Sequence, residues 1–313
     1  ATINDFLQPN SSQLHDPFLL NDMQKAVDRI QAAVVNGVKI TVYGDYDADG
    51  ITSTTLMQET LEILGAEVEV YVPNRFTDGY GPNLAAYQKL IENGTQLIVT
   101  VDNGVSGLEP IAYAQAHGVD VVVTDHHELP TELPEAAAIV HPRYPGSQYP
   151  FGDLCGVGVA FKVATALLEE IPYESLDLVA IGTICDLVSL TDENRALVSL
   201  GLQQLQNSSR PGLVALCQAA GLEQTSLDAG AIGFGIGPRL NAIGRLGDAT
   251  QGVTLLTTFD EELAVALAKS IENQNKERQA LVQKITAEAL AIAQTPENQI
   301  HQTLVLAQSG WHE

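Results

Sequence analysis

Three carboxylates alternate in one short segment, Gly44-Asp45-Tyr46-Asp47-Ala48-Asp49-Gly50. In extended backbone, side chains two residues apart point to one side, so these three can form an oxygen-rich cation site. The calcium loop of an EF-hand opens with the same spacing, but it needs Glu at its twelfth position, where this chain has Leu56. A solvated acidic turn is the other alternative.

Further acidic and imidazole groups follow other apolar runs. Asp102 follows one such run, Asp125-His126-His127 follows another, and Asp186 lies between apolar residues, where a buried acid must be paired or bound to a metal. Alone, Asp186 could equally cap the next segment. Carboxylates and imidazole without thiolates suit Mn²⁺ or Mg²⁺ better than structural Zn²⁺. Two such cations can activate a water and hold both oxygens of a phosphoryl displacement. The candidate ligands are Asp45, Asp47, Asp49, Asp102, His126 and Asp186.

Candidate substrate-binding residues lie in a second glycine-rich segment, Gly235 to Gly247. Arg239 and Arg245 flank Asn241 there, and guanidinium groups bind phosphate oxygens in a bidentate manner. A structural salt bridge is the alternative for each arginine. Phe76 and Tyr80 are candidates for stacking on bases, with packing of their loop as the alternative.

The elements that must position these groups are short β-branched strands alternating with helices, which predicts an α/β fold with a doubly wound, parallel, five-stranded sheet. Near-continuous apolar character predicts burial of the strands on both faces. Ligands of such sheets collect outside the carboxyl ends of the strands, so the acidic loops should converge. The predicted strands are Val38 to Tyr43, Glu67 to Val72, Gln96 to Val101, Val119 to Thr124 and Ala137 to Val140.

Helices dominate from Val157 onward, with an irregular stretch expected from Gly230 to Gly247. A long run without Gly or Pro predicts a helix that bridges two domains. Thr303 to Ala307 is predicted to form one more strand. The predicted organisation is an N-terminal helical segment (1–36), a catalytic domain (37–258, with an α/β part 37–142 and a helical part 157–258), an interdomain helix (259–294) and the start of a second, truncated domain (295–313).

The amino-acid composition excludes several classes of protein. The chain has 313 residues, with 15 Lys and Arg against 39 Asp and Glu, so its formal net charge is −24. This charge argues against binding of nucleic acid through the electrostatic field of the whole protein, but it is compatible with sites for divalent cations. No apolar run approaches the ~18 residues of a membrane span, and 3 cysteines without a C-x-x-C pair suit the cytoplasm.

The motifs resemble those of the DHH phosphoesterase superfamily, and within it the exonucleases that degrade single-stranded DNA. The Asp-His-His triplet is common to the superfamily, whereas the segments Gly44 to Gly50 and Gly237 to Arg245 are typical of the exonucleases. The resemblance covers nearly the whole chain; its other matching segments are Asp102-Asn103-Gly104, Cys155-Gly156-Val157-Gly158 and Asp186.

Carried over by position, the resemblance implies two Mn²⁺ sites, with Mg²⁺ as the other possible metal. One ion would lie near Asp47 and Asp102, and Asp102 would bridge it to a second ion. The second ion would be held by Asp49, Asp102, His126 and Asp186. The implied catalytic residues are Asp47, Asp49, Asp102, His126 and His127, with His127 facing the scissile phosphate and Arg239 steering the strand. Many superfamily members carry His where this chain has Tyr43, which implies either a weaker first metal site or one that depends on Asp45.

The implied function is hydrolysis of single-stranded DNA from 5′ to 3′ in repair and recombination, with a single-strand-binding protein and a helicase as implied partners. Related proteins continue into a DHH-associated domain, which is the second domain expected above. One alternative keeps the metal chemistry for a small substrate, such as a dinucleotide, an oligoribonucleotide or pyrophosphate. Another is a cation-binding scaffold without catalysis.

Overall fold

The protein is described by a computed structural model that covers residues 6–79 and 81–311, apart from the side chain of Leu246. Its strands form one parallel sheet in the order β2-β1-β3-β4-β5. They are β1 (Ile40–Tyr43), β2 (Val68–Tyr71), β3 (Leu97–Val101), β4 (Asp120–Thr124) and β5 (Ala138–Val140). Each strand begins within two residues of its predicted start, and the predicted fold class is confirmed.

Helices cover both faces of this sheet. One face packs against α1 (Met23–Val35), α2 (Ala48–Ile63) and α5 (Gly156–Leu168), and the other against α3 (Leu84–Glu92) and α4 (Leu108–Ala116). The prediction that every strand is buried on both faces is wrong for β2, whose residues are all half-buried. β2 is the edge strand beyond β1, so it has a neighbouring strand on one side only.

The strand order reverses between β1 and β3. The chain moves from β1 outward to β2, then crosses back to β3 and continues to β4 and β5 on the opposite side. The loops that leave the carboxyl ends of β1 and β3 therefore diverge and open a crevice, which is where ligands bind in doubly wound sheets. Asp45 and Asp102 lie in these two loops.

From Gly156 to Ala293 the chain is mainly helical, as predicted. The helices of at least eight residues that follow α5 are α6 (Leu176–Cys185), α7 (Asp192–Asn207), α8 (Pro211–Ala220), α9 (Gly237–Leu246), α10 (Thr250–Thr257) and α11 (Glu261–Ala293). The 33-residue helix α11 packs its first half against the preceding helices and buries Ala264, Ala268 and Ile271. In the N-terminal segment, the described residues form α1 and two short 3-10 turns, Ser11–Gln13 and Pro17–Leu19. No helix in the described ranges is long and apolar enough to cross a membrane.

Two sequence predictions are wrong here. The stretch from Gly230 to Gly247 is helical, with a π-helical turn (Ile232–Ile236) leading into α9. Its glycines allow close packing: a Cβ on Gly237 would lie 2.5 Å from Cys185 Sγ, and one on Gly244 would lie 2.3 Å from the Tyr46 carbonyl oxygen. Thr303 to Ala307 forms no strand, because this segment has no ladder partner among the described residues.

Candidate metal centre and active site

The segment after β1 supplies three carboxylates, two from positions up to the N-cap of α2 and one from the first turn of that helix. Asp47 is the N-cap of α2, and its Oδ1 accepts a hydrogen bond of 2.9 Å from the Gly50 N–H. Asp49 lies in the first turn of α2, so the extended segment predicted from the sequence ends at Asp47. Asp45 is buried and accepts a hydrogen bond of 2.8 Å from the Tyr46 N–H.

The N-terminus of α5 holds Asp49. The Gly156 N–H donates to Oδ2 at 2.7 Å and the Val157 N–H to Oδ1 at 2.8 Å. These are donors that a helix leaves without partners in its first turn, and the helix dipole favours a carboxylate there. A Cβ on Gly156 would lie 2.4 Å from Asp102 Oδ1, so only glycine fits. Cys155-Gly156-Val157-Gly158 is one of the segments that carry the resemblance, but residue types and spacing predict no role for it.

Asp102 follows β3 in a left-handed backbone conformation, with φ of 61°. Asp102 is buried. The side chain of the next residue, Asn103, links the carboxyl ends of β1 and β3 by hydrogen bonds. The Asn103 side-chain amide donates to the Val101 carbonyl at 2.9 Å and to the Tyr43 carbonyl at 3.3 Å. The reversed strand order and this amide place Asp102 opposite the Asp45 loop.

The loop after β4 is organised by Asp125, which is not among the site residues predicted from the sequence. Its Oδ1 accepts hydrogen bonds from the backbone N–H groups of His126 (2.7 Å) and His127 (3.1 Å), and it lies 2.8 Å from His127 Nδ1. Burial opposes ionisation, but these hydrogen bonds and the His127 imidazole lower the pKa of Asp125. Burial also opposes the charge on His127, yet the hydrogen bond and charge of Asp125 raise the pKa of its imidazole.

The acidic loops meet at His126. Its Nε2 lies 3.0 Å from Asp102 Oδ1, 3.8 Å from Asp186 Oδ2 and 3.9 Å from Asp49 Oδ2. Asp186 is the C-cap residue of α6. Ligand atoms lie within 4.8 Å of one another in three overlapping groups, which are Asp45, Asp47 and Asp102; Asp49, His126 and Asp186; and Asp102, His126 and His127.

These residues fit divalent cations. Asp102 Oδ1 and His126 Nε2 are buried and face each other, yet neither makes a hydrogen bond to any described residue. Buried polar atoms are almost always satisfied, so two such atoms at the meeting point of acidic loops mark a place for a ligand. The donors are carboxylate oxygens and imidazole nitrogens, the set that Mn²⁺ and Mg²⁺ accept.

The protonation equilibria of the cluster lead to the same conclusion. Burial, followed by repulsion from Asp47, raises the pKa of Asp45 to about 7 and that of Asp186 to about 6. Burial also raises the pKa values of Asp49 and Asp102 well above the usual range. Burial lowers the pKa of His126 to about 3, which keeps its imidazole in the neutral form that binds metals. Carboxylates crowded in this way need positive charge among them.

The predicted substrate-binding residues separate in the structure. The Arg239 guanidinium is largely buried and pairs with Glu272 (Nε to Oε2, 2.6 Å), which is the salt bridge left open as an alternative. Asn241 Oδ1 accepts a hydrogen bond of 2.8 Å from the Ala48 N–H at the start of α2. Arg245 is exposed and makes no hydrogen bond or ion pair with the described part of the chain.

Arg245 lines a groove of about 620 Å³ beside the metal centre, between α9 and the middle of α11. Two more arginines, Arg75 and Arg278, line it, and Arg75 lies over the Tyr46 ring at 5.7 Å from its centre. Two aromatic residues, Trp311 and the exposed side chain of Phe76, also line the groove, so it offers both cationic groups and aromatic rings. Tyr80, the other predicted stacking residue, lies outside the described residues.

Comparisons with known proteins agree with this geometry. Residues 39–183 match the family described as DHH family, N-terminal domain. The single-stranded-DNA-specific exonuclease RecJ of Bacillus subtilis is 47% identical over 308 residues, which are 98% of this chain and 39% of that protein. RecJ of Escherichia coli is 38% identical over 314 residues, 94% of this chain and 54% of that protein. The chain thus spans about half or less of these relatives.

Solved structures give the same assignment. A crystal structure of exonuclease RecJ bound to manganese superposes with a TM-score of 0.82 at 36% identity, covering 89% of this chain and 71% of that one. RecJ from Thermus thermophilus in complex with Mn²⁺ gives 0.81 at 33% identity, covering 92% of this chain and 42% of that one. From the sheet topology, the Asp-His-His loop and these similarities together, the chain belongs to the RecJ family of DHH proteins.

Proposed function

We propose that this chain carries the catalytic core of a metal-dependent exonuclease for single-stranded DNA, acting from 5′ to 3′ in repair and recombination. One observation carries the proposal. Asp102 and His126 each have a buried atom without a hydrogen bond to any described residue, and each belongs to one of the two acidic ligand groups that meet here. The relatives named for this activity match nearly the whole chain. The direction, the repair role and the partners, a single-strand-binding protein and a helicase, come from the resemblance, as does a cytoplasmic location.

We propose two Mn²⁺ sites, with Mg²⁺ as the other metal that this donor set accepts. One site uses Asp45, Asp47 and Asp102, and the other uses Asp49, His126 and Asp186 together with Asp102. Ions held there supply an activated water and stabilise charge on the phosphate oxygens. The protein fixes the ligands beforehand: the α5 N-terminus orients Asp49, and Asn103 fixes the backbone of Asp102. Little reorganisation is then needed during the reaction.

His127 holds a proton in this scheme. The hydrogen bond to Asp125 raises the pKa of its imidazole and fixes the ring beside Asp102 and His126. A protonated imidazole at this place can hydrogen-bond a phosphate oxygen or donate a proton to the leaving oxygen. Asp125 acts through His127 and through the loop backbone.

The groove beside the metal centre is the proposed path for the DNA strand. Its arginines can neutralise successive phosphates while the overall charge of −24 repels nucleic acid elsewhere. Phe76 and Trp311 offer surfaces on which unpaired bases can stack, which is how single strands are bound without sequence preference. Arg245 is proposed to contact phosphate. Asn241 supports the groove by capping α2, and Arg239 supports it through Glu272.

The proposal is tested by hydrolysis of end-labelled single-stranded DNA, duplex DNA and a dinucleotide, each with Mn²⁺ and with a chelator. We expect Mn²⁺-dependent release of nucleotides from single strands, with the Bacillus subtilis relative assayed in parallel as the positive control. Labels at the 5′ and 3′ ends report the direction. Cleavage of the dinucleotide alone would replace the proposal by the small-substrate function. Mn²⁺ binding without cleavage of any substrate would favour the scaffold.

A further inference from the structure

The backbone carbonyl groups of His126 and His127 are bound by the side chains of one turn, which contains His141 and Arg143. β4 ends at Thr124, and after Asp125 the backbone leaves the sheet, so the carbonyls of His126 and His127 lie outside the hydrogen-bond ladders of the described strands. Backbone carbonyls buried without a partner are costly. His141 Nε2 lies 2.8 Å from the His127 carbonyl oxygen, and Arg143 Nη2 donates to the His126 carbonyl at 2.5 Å.

The hydrogen bonds of His141 fix its chemical form. The Arg143 backbone N–H donates to Nδ1 at 3.0 Å, so Nδ1 is the acceptor. Nε2 faces a carbonyl oxygen and must therefore be the donor. One ring nitrogen that accepts and one that donates define a neutral imidazole with its proton on Nε2. The ring is fully buried, and the bond between Tyr144 N–H and the His141 carbonyl closes a turn around Pro142.

This arrangement has no part in the metal centre as assigned above, because neither side chain belongs to a candidate ligand group. It nevertheless fixes the backbone from which His126 and His127 project. We propose that His141, assisted by Arg143, is a positioning residue: its neutral imidazole holds the His127 carbonyl and so sets where His126 and His127 meet the acidic loops. The inference rests on the proposed function, since it assigns a role within that same site.

Two substitutions of His141 separate this role from simple support of the turn. Gln places an amide N–H near the position of Nε2, so it can donate to the His127 carbonyl but not accept from Arg143. Asn places an oxygen near the position of Nδ1, so it can accept from the Arg143 N–H but does not reach the His127 carbonyl. His141→Phe keeps a ring of similar size and makes neither bond.

The measurement is Mn²⁺ affinity by calorimetric titration in the absence of DNA, with the melting temperature recorded for each variant. We expect His141→Phe and His141→Asn to bind Mn²⁺ about 10-fold to 100-fold more weakly than the unmodified protein, the range found for residues that orient metal ligands. His141→Gln should recover most of the affinity, and Arg143→Met should lose several-fold. If His141→Phe does not fold, the comparison of Gln with Asn still decides the question.

A matched control is His15→Phe, which removes another histidine ring that makes one hydrogen bond, to Asp192 at 2.9 Å, away from the metal centre. Its Mn²⁺ affinity should be unchanged. The proposal is overturned if Asn restores binding and Gln does not, or if His15→Phe weakens binding as much as His141→Phe does. Failure of the unmodified protein to cleave DNA would overturn the proposed function but would leave the order of Mn²⁺ affinities intact. With DNA cleavage present, kcat should fall in His141→Asn while KM for DNA stays the same.

Discussion

Asp102 combines three properties that rarely occur together in one residue. It is buried, its backbone is left-handed with φ of 61°, and one of its oxygens has no hydrogen-bond partner among the described residues. Asp and Asn tolerate the left-handed region better than most residues do. Strain of this kind persists where the surroundings impose it, often at functional sites.

Asp102→Asn is therefore a cleaner test than Asp102→Ala. Asn keeps the shape and the tolerance for positive φ while it removes the charge shared by two ligand groups. We expect loss of Mn²⁺ affinity by about two orders of magnitude or more and loss of hydrolysis, with an unchanged or higher melting temperature without metal, because a buried, repelled carboxylate is gone. Titration calorimetry and thermal unfolding measure both effects. Equal turnover by the variant would rule out the proposed chemistry.

The two arginines predicted to bind substrate should behave differently. Arg245 is exposed in the groove, so Arg245→Gln should weaken binding of single-stranded DNA and reduce the slope of log affinity against log salt by about 1, with little change in stability. Arg239→Gln removes the 2.6 Å partner of the largely buried Glu272 and leaves it the more exposed Lys276 at 3.3 Å. It should cost about 1.5–3 kcal/mol of unfolding free energy, the range for a hydrogen bond to a charged group. DNA titrations at several salt concentrations and denaturant unfolding distinguish the two variants. If Arg239→Gln weakens DNA binding and Arg245→Gln lowers stability, Arg239 is the residue that contacts the substrate.

At the scale of elements, the centre is assembled from the starts of two helices and the ends of strands. The first turn of α2 carries Asp49, and the first turn of α5 donates two N–H groups to it. Both helices can approach this closely only because Gly156 has no side chain where Asp102 lies. The position of α5 is therefore set by residues that we propose as cation ligands.

Gly156→Ala should disrupt this junction, because its Cβ would lie 2.4 Å from Asp102 Oδ1 and 2.5 Å from Asp102 Cβ. We expect about 1–3 kcal/mol of destabilisation and a large loss of Mn²⁺ affinity. Gly158→Ala is the matched control in the same helix: its Cβ would meet the end of the Leu154 side chain at 3.2 Å, which can move. Thermal unfolding and Mn²⁺ titration compare them. Equal Mn²⁺ affinity in both variants would show that the α5 start does not position the ligands.

At the scale of the whole molecule, the acidic centre links metal binding, pH and stability. Asp45 and Asp186, with pKa values of about 7 and about 6, are protonated in the folded protein at lower pH. Both values are raised above the usual ~3.9, so the stability that these protons contribute is lost as the pH rises through 6 and 7. A bound cation replaces the protons and restores that stability.

We therefore expect Mn²⁺ to raise the melting temperature most at pH 8 and least at pH 5, where protons compete for the same oxygens. At a Mn²⁺ concentration of about 100 times Kd, one site supplies about 2.7 kcal/mol, or roughly 4 °C for a chain of this size. Thermal unfolding between pH 5 and 8 with Mn²⁺ and with a chelator measures the effect, with Asp102→Asn as the control that should respond little. A shift that grows as pH falls would contradict the assigned ligands.

The sheet and the acidic groups at its carboxyl edge follow from local sequence patterns. Apolar runs such as Val119 to Thr124 predict their strands locally, and Asp102 and His126 follow strands directly, so a parallel sheet must bring them to one edge. Their chemistry needs no knowledge of distant contacts. The side chains named as metal ligands from residue types and spacing are the ones that lie together.

The groups that orient those ligands could be identified only from contacts between residues far apart in the sequence. The donors to Asp49 are 107 and 108 residues away, Glu272 is 33 residues from Arg239, and His141 reaches the His127 carbonyl across the sheet edge. Whether Gly230 to Gly247 is irregular or helical likewise depends on what packs against its glycines. Local sequence patterns fix periodicity and burial, but hydrogen-bond partners at long separation are fixed only when the helices pack.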